Sequence, residues 1–411
     1  MAIRSLTILL IGAVCYVLAM ATQNGWLYLF AGFTWGVGLI SVLMAWSNLR
    51  NLEFTRTIIG PTRAQPGADA AGISEDDELQ IGITIHNRGF IPKYYLRITE
   101  FCPLEEPGKE ARAFFLTSLG PRASVRVTYP VKCYRRGEFT FGPVNVESSG
   151  PFGLFKLNRE FVAPLSVLVF PASHPLGQLP LSGNIWSDVG GRLKVRAGSL
   201  FCGSREYQPG DSLRHIHWRN SARWNKLMVK EFEGSSRNSL AITFDARGNL
   251  GQGKETTLEY AIKIAASAAR YCSRRGMRVR LLPAQGSLLP ADTSTTLIME
   301  FLARLEPGDS TNLDHLLEQP RVPDPILAIV SLADPRGPDI VQELSTKTRL
   351  LIVVALTGFA EREPSEGVSG NPSPRNTIII PCRRGELQAA LSALETAHRK
   401  PGRRIQETPI G

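Results

Sequence analysis

The sequence predicts an α/β protein in three parts: an N-terminal transmembrane helical hairpin, an antiparallel β-sandwich, and a doubly wound α/β domain. Three observations carry this. Two long runs near the N-terminus contain no charged residue. Short alternating apolar runs, separated by turn residues, fill residues 79–171. From residue 238 onward strand-like and helix-like patterns alternate, which predicts a mainly parallel sheet covered on both faces.

The hairpin occupies residues 1–50. Residues 5–21 and 26–47 are uncharged. The second run is long enough to cross a bilayer, and the first is at the short end of the roughly 17–25 residues needed. Thr22-Gln23-Asn24-Gly25 between them reads as a tight polar turn. Trp26, Tyr28 and Trp46 sit near the ends of the second run, as interface anchors do. Arg4 precedes the first run, and Arg50, Arg56 and Arg63 follow the second, whereas the turn has no Lys or Arg. The positive-inside rule then places both flanks, and the soluble remainder, on the cytoplasmic side of the cytoplasmic membrane. Ala19-Met20-Ala21 also fits a signal-peptidase site, and cleavage there would leave 26–47 as an anchor. A buried hairpin of a soluble protein is the other reading, and the lack of a polar face on either run speaks against it.

Residues 51–172 read as the sandwich, with 60–77 as a linker from the hairpin. Strand-like runs fall at 79–85, 94–100, 113–119, 125–133, 138–146 and 165–170. Asn87-Arg88-Gly89, Leu119-Gly120-Pro121, Arg135-Arg136-Gly137 and Gly150-Pro151 supply the turns. No catalytic grouping stands out, so this part reads as a scaffold.

Residues 173–237 hold the most unusual segment, which is expected to pack between the sandwich and the α/β domain as a buttress. Residues 205–233 read REYQPGDSLRHIHWRNSARWNKLMVKEFE. Bulky rings call for burial, and charges tolerate burial only when paired. The composition therefore predicts a packed ion-pair network, with Arg205, Glu206, Tyr207, Gly210, Asp211, Arg214, Trp218, Arg223 and Glu231 as its members. Asp211 is expected to cap a short helix running to about Arg223, and 227–232 to form a strand. His215 and His217 lie two apart with no third ligand nearby, so they read as structural.

Residues 238–398 read as the α/β domain. Strands are expected at 238–245, 277–282, 326–332 and 350–356, and helices at 255–275, 295–305 and 385–398. Residues 361–376 are rich in Pro, Gly and Ser and read as a mobile loop, and 399–411 as a basic tail. Residues 248–254 fit G-x-x-x-x-G-K, but Glu255 stands where a phosphate loop needs Ser or Thr. Thr256-x-x-Glu259 instead reads as a capping box, which would start the helix after Lys254.

Composition narrows the function. The net charge of +10 suggests an anionic neighbour, met as well by a membrane surface or an acidic protein as by nucleic acid. No basic–aromatic module of a nucleic-acid-binding type is present. The six cysteines are far apart with no CxxC pair, against both a zinc site and a disulfide framework. No G-x-S-x-G or H-E-x-x-H occurs, and no nucleophile–base pair is supported. No catalytic residue, cofactor or small-molecule substrate is expected.

The 205–233 segment resembles the signature of the domain of unknown function 58 family. It carries in order Arg205-Glu206-Tyr207, Gly210-Asp211, Arg214, Ile216-His217-Trp218, Ser221-Ala222-Arg223 and the run from Leu227 to Glu233. Ser149-Gly150-Pro151-Phe152-Gly153-Leu154-Phe155 is similar to the family's D-P-F-G-L-F turn, with Gly150 where Asp is usual. The resemblance implies a von Willebrand factor A-like domain, with a metal site whose D-x-S-x-S motif falls on Asp245-Ala246-Arg247-Gly248-Asn249, its Thr on Thr311 and its last Asp on Asp334. Both serine positions are lost, and Arg247 would repel a divalent cation, so a metal-free site is expected. The resemblance also implies a non-enzymatic scaffold partnered by a MoxR-type AAA+ ATPase and other membrane A-domain proteins, in assembly or maturation of a membrane or periplasmic complex. The rival is a divalent-metal-dependent or nucleotide hydrolase using the loop after the first α/β strand.

Overall fold

A computed structural model describes residues 2–61, 72–150, 152–181, 194–195, 200–207, 216–233, 239–245, 248–282, 294–308, 325–334, 336–348, 350–360 and 377–397. The chain forms two compact units, Met1–Phe170 and Pro171–Gly411. The first therefore combines the helical hairpin with the sandwich.

Helices α1 (Ala2–Thr22) and α2 (Gly25–Asn48) form the hairpin. Asn24 starts α2 by accepting a hydrogen bond from the Trp26 amide at 3.2 Å. Close approach of the helices needs Gly12, because a Cβ there would lie 2.4 Å from Trp35 Nε1. Gly25–Asn48 is long and apolar enough to cross a membrane, and Leu6–Thr22 is a shorter apolar helix.

The sandwich is built from β1 (Leu52–Pro61), β2 (Ile73–Ser74), β3 (Glu78–Asn87), β4 (Lys93–Phe101), β5 (Ala111–Leu119), β6 (Ser124–Lys132), β7 (Gly137–Thr140), β8 (Val144–Ser148), β9 (Leu157–Phe161) and β10 (Ser166–Phe170). Its sheets run β1-β3-β6, β5-β4-β8-β9 and β2-β10-β7. Alternation decides the core. Leu79, Ile81, Ile83 and Ile85 of β3 all point inward, and they share one apolar cluster with Leu96 and Ile98 of β4 and Val144 and Val146 of β8. Each such side chain contributes roughly 1.5–3 kcal/mol by leaving water.

Three expectations change here. Residues 60–77 are not simply a linker: Pro61 ends β1, and Ile73–Ser74 pairs with β10. The run 138–146 is two strands, β7 and β8, in different sheets, parted by Phe141-Gly142-Pro143. Arg56 is no flank charge: it lies inside the sandwich and donates through Nε to Glu100 Oε1 at 2.9 Å, with both side chains fully buried.

The second unit holds a small sheet and a large one. The small sheet, β11-β13-β12, uses β11 (Lys194–Val195), β12 (Leu200–Glu206) and β13 (Met228–Glu233), with helix α3 (Trp218–Trp224) between the last two. Further on come β14 (Ser239–Phe244), the two-residue strands β15 (Gly251–Gln252) and β16 (Glu255–Thr256), α4 (Thr257–Arg274), β17 (Arg278–Leu282), α5 (Thr295–Arg304), β18 (Ile326–Ser331), α6 (Gly337–Lys347), β19 (Leu351–Thr357), β20 (Thr377–Arg383) and α7 (Leu387–Thr396). The large sheet is parallel throughout, in the order β17-β14-β18-β19-β20. Its inner strands are almost continuous buried runs, as a sheet covered on both faces requires. Ile340 and Leu344 of α6 pack with Ala328, Val330, Leu351 and Val353 on one face. Residues 361–376 and 399–411 lie outside the described residues.

Candidate functional site

Strand order places one site. From β14 the chain returns through α4 to β17 on one side, then crosses to β18 on the other. The carboxyl ends of β14 and β18 thus flank a switch point, where open parallel sheets leave a crevice. A cleft of 250 Å³ lies there, lined by Asp245 after β14, Thr257 at the start of α4, Ser331 at the end of β18, Asp334 after it, and Leu356 of β19. Of the five expected metal-site positions, Asp245 and Asp334 line this cleft together. Asn249 is exposed and is not among the lining residues, and Arg247 and Thr311 lie outside the described residues. Asp334 turns the chain into α6: its Oδ1 accepts from the Arg336 amide at 3.0 Å, and its carbonyl from Gly337 N at 2.9 Å. Among the described residues no group of three or more His, Cys, Asp or Glu is placed to hold a metal.

The G-x-x-x-x-G-K segment folds as a tight hairpin, β15 against β16. Gly251 (φ 104) is required there, since a Cβ would lie 2.0 Å from Glu255 O. Leu250 N donates to Thr257 Oγ1 at 3.1 Å, and Thr257 N to Leu250 O at 2.9 Å. Thr256 caps α4, accepting from Glu259 N at 3.2 Å, so the capping-box half of the segment forms. Glu255 accepts from the Tyr260 hydroxyl at 2.8 Å, and burial, helped by that bond, pushes the Tyr260 pKa up to about 12. Thr256→Ala removes the cap and is expected to lower stability by about 1 kcal/mol, read by denaturant unfolding of the detergent-solubilised chain.

The 205–233 segment forms a second constellation. β12 and β13 pair antiparallel, with Arg205 opposite Val229, Glu206 opposite Met228 and Glu231 opposite Gly203. His217 caps α3: its Nδ1 accepts from Asn220 N at 3.1 Å. Ser221 ties the helix to the strand, accepting from Met228 N at 2.9 Å and donating to His217 O at 3.1 Å. Asn220 Nδ2 donates to Ser204 Oγ at 2.7 Å, and Tyr207 N to Leu227 O at 2.7 Å. Ile216 and Val229 are buried beneath this frame. Trp218 and Trp224, by contrast, are 68% and 67% exposed, and Arg219, Arg223 and Lys226 are exposed beside them. Lys226 pairs with the exposed Glu206 at 3.2 Å. The covering expected for Trp218 is therefore not found in the described residues. Gly210, Asp211 and Arg214, and the side chains of Arg205 and Glu231, lie outside them.

Solved structures give only weak likenesses. The CARDB domain of a Pyrococcus furiosus protein, in complex with di-metal ions, is 17% identical over 29% of this chain and 90% of that one, with a TM-score of 0.20. BslA, a bacterial hydrophobin, is 13% identical over 29% of this chain and 95% of its own, with a TM-score of 0.19. In sequence, an uncharacterized Bacillus subtilis protein, YeaD, is 25% identical over 247 residues, and the chain spans 58% of that relative's length. Residues 203–363, which take in α3, its supporting hairpin and the switch-point cleft, match the family described as Protein of unknown function DUF58.

Proposed function

We propose that the protein is a membrane-tethered, non-enzymatic adaptor whose second unit is von Willebrand A-like, faces the cytoplasm and docks a MoxR-type AAA+ ATPase. In this reading it serves, with other membrane A-domain proteins, the assembly or maturation of a membrane or periplasmic complex. The observation that carries the reading is the pair of exposed tryptophans on α3. Tryptophan is costly to leave in water and is over-represented at the centres of protein interfaces. The helix beneath them is capped by His217 and tied to β12 and β13 through Asn220 and Ser221, so the rings are presented on a supported base. The exposed Arg219, Arg223 and Lys226 suit an acidic partner face. The hairpin at 251–256 supports the non-enzymatic side, because its geometry differs from a loop that cradles phosphate ahead of a helix. The partner's identity comes from the family resemblance alone.

A hydrolytic reading keeps one observation in its favour, the switch-point cleft with Asp245 and Asp334. Two measurements separate the readings. A reporter active only in the periplasm, fused after His398, is expected to be silent, and strong activity would put the second unit on the wrong side of the membrane. The full chain, purified in detergent, is expected to retain the ATPase on an affinity column and to show no ATP or GTP turnover of its own. Turnover lost in Asp334→Ala would replace the adaptor reading with the hydrolase.

A further inference from the structure

α2 does not leave the sandwich on a free tether. The Asn48 side chain donates to Tyr94 O and to Ser148 Oγ, both at 3.0 Å, and accepts from Tyr94 N at 3.2 Å. The buried Lys93 donates to Ser47 O, satisfying a carbonyl at the helix end. Burial, and then repulsion from Arg50, hold the Lys93 pKa below its ordinary value. Arg159 donates to Leu49 O at 3.2 Å. The end of the helix is thereby fixed to the rim of the sandwich.

One loop reaches further. A Cβ on Gly150 would stand 2.9 Å from Ser41 O, so the loop between β8 and β9 lies against α2 at Ser41. Ser41 precedes Asn48 by two helical turns, roughly 10 Å back along the axis at about 1.5 Å per residue. The loop therefore runs beside a segment that belongs to the apolar helix itself.

Register puts two more loops at this rim. Leu52 stands opposite Asn87, Lys93 opposite Leu119, and Leu96 opposite Ser148. The connections 88–92, 120–123 and 149–156 thus all leave from the end where α2 joins. Their sequences are RGFIP, GPRA and SGPFGLFK, with Arg88, Arg122 and Lys156 and no Asp or Glu. Phe90, Ile91 and Phe152 are 75%, 60% and 56% exposed. The Arg122 guanidinium lies over the Phe90 ring at 4.4 Å, while Arg88 pairs with the exposed Glu53 and Lys156 with Glu147. Of the connections at the far end, 102–110 is acidic, with Glu105, Glu106 and Glu110 against Lys109, whereas 133–136 carries Arg135 and Arg136 but none of the exposed aromatic tips of the rim.

We propose that this rim is seated in the headgroup layer of an anionic bilayer, with Phe90, Ile91 and Phe152 at the acyl boundary and Arg88 and Arg122 facing lipid phosphates. The proposal rests on the reading that α2 spans the membrane. Aromatic and aliphatic tips beside basic side chains are the composition that an anionic interface selects. The rim's position follows from its fixed attachment to the helix end. It also gives a basic flank to the span that does not depend on Arg56, which is spent inside the sandwich.

The test uses the full chain with the fluorescent amino acid dansylalanine at one position at a time. The chain is reconstituted into vesicles of phosphatidylcholine and phosphatidylglycerol with brominated acyl chains. Position 39, exposed on α2, reports the span. Positions 90 and 152 report the rim. Position 101 lies at the other end of β4, roughly 25 Å away at about 3.3 Å per residue. Strong quenching at 39, 90 and 152, with none at 101, is the expected result. Quenching at 39 alone would overturn the proposal and leave the span intact, pointing to a protein on this rim. No quenching at 39 would remove the span reading itself. In Arg88→Glu/Arg122→Glu, quenching at 90 is expected to fall at least twofold while quenching at 39 is unchanged. Undiminished quenching at 90 would overturn the anionic-lipid part.

Discussion

Arg56→Ala is expected to destabilise the first unit by roughly 3–5 kcal/mol, because it leaves Glu100 buried in the sandwich core without its cationic partner. Arg56 and Glu100 have no exposed side-chain area, and Arg56 also donates to Gly142 O at 2.7 Å and to Ala163 O. Its guanidinium stacks 5.2 Å from the Phe141 ring. One side chain therefore joins β1 to β4 and to the loops before β8 and β10. At roughly 2–4 °C per kcal/mol for a unit of this size, the loss corresponds to a fall in Tm of roughly 6–20 °C. Lys132→Ala, which breaks an exposed pair with Asp76, is the control and should change stability by less than about 1 kcal/mol.

The acidity of Glu100 adds a pH signature. Burial raises its pKa, and Arg56 opposes that rise. A carboxyl whose folded pKa is raised contributes stability that is fully present below its unfolded pKa and lost as pH rises through the folded value. Removing Arg56 removes the opposing charge. The Arg56→Ala protein should therefore lose stability more steeply than wild type as pH rises through that window, and recover part of it in acid. Arg56→Met combined with Glu100→Leu should restore most of the loss, since an apolar pair of similar volume often matches a buried ion pair. Denaturant unfolding of all variants in the same detergent is the measurement. An Arg56→Ala loss no larger than that of Lys132→Ala would show that the pair does not hold the core.

The same arginine explains why part of the sandwich was hidden in the sequence. β1 alternates Phe54, Arg56, Ile58 toward the core, and a cation at an inward position breaks the apolar alternation that marks a strand. Its partner lies 44 residues away on another sheet, which no local pattern reveals. β9 was hidden for a different reason: LNREF is polar and largely exposed, and becomes a strand by pairing with β8. β20 carries Pro381, tolerable because β20 is an edge strand with one neighbour. The buried strands β14, β18 and β19 were legible to within a residue or two, because burial on both faces writes itself as an uninterrupted apolar run. At the candidate sites, residue type was legible and direction was not. Asp245 and Asp334 could be placed at strand ends, and strand order then brought them to one cleft. The tryptophans of the 205–233 segment could be weighed for area, but a two-turn helix resting on a hairpin has only one covered face.

That uncovered face sets the last expectation. Trp218→Ala together with Trp224→Ala should leave the stability of the chain within about 0.5 kcal/mol of wild type, because both rings are already in water. Retention of the AAA+ ATPase should fall by at least ~30-fold, since hot-spot tryptophans are worth about 2 kcal/mol or more and each 1.4 kcal/mol is roughly tenfold. Ser221→Ala separates surface from support. It deletes the hydroxyl that receives Met228 N, so it should lower stability by about 1 kcal/mol and weaken binding only through the loosened helix. Lost stability without lost binding in the tryptophan variants would mean that the rings are covered within the folded chain and serve as the buttress their composition first suggested. Lost binding at unchanged Tm would make α3 the docking surface. If neither quantity moves, the tryptophans have no part in the adaptor function, and the switch-point cleft becomes the site to pursue.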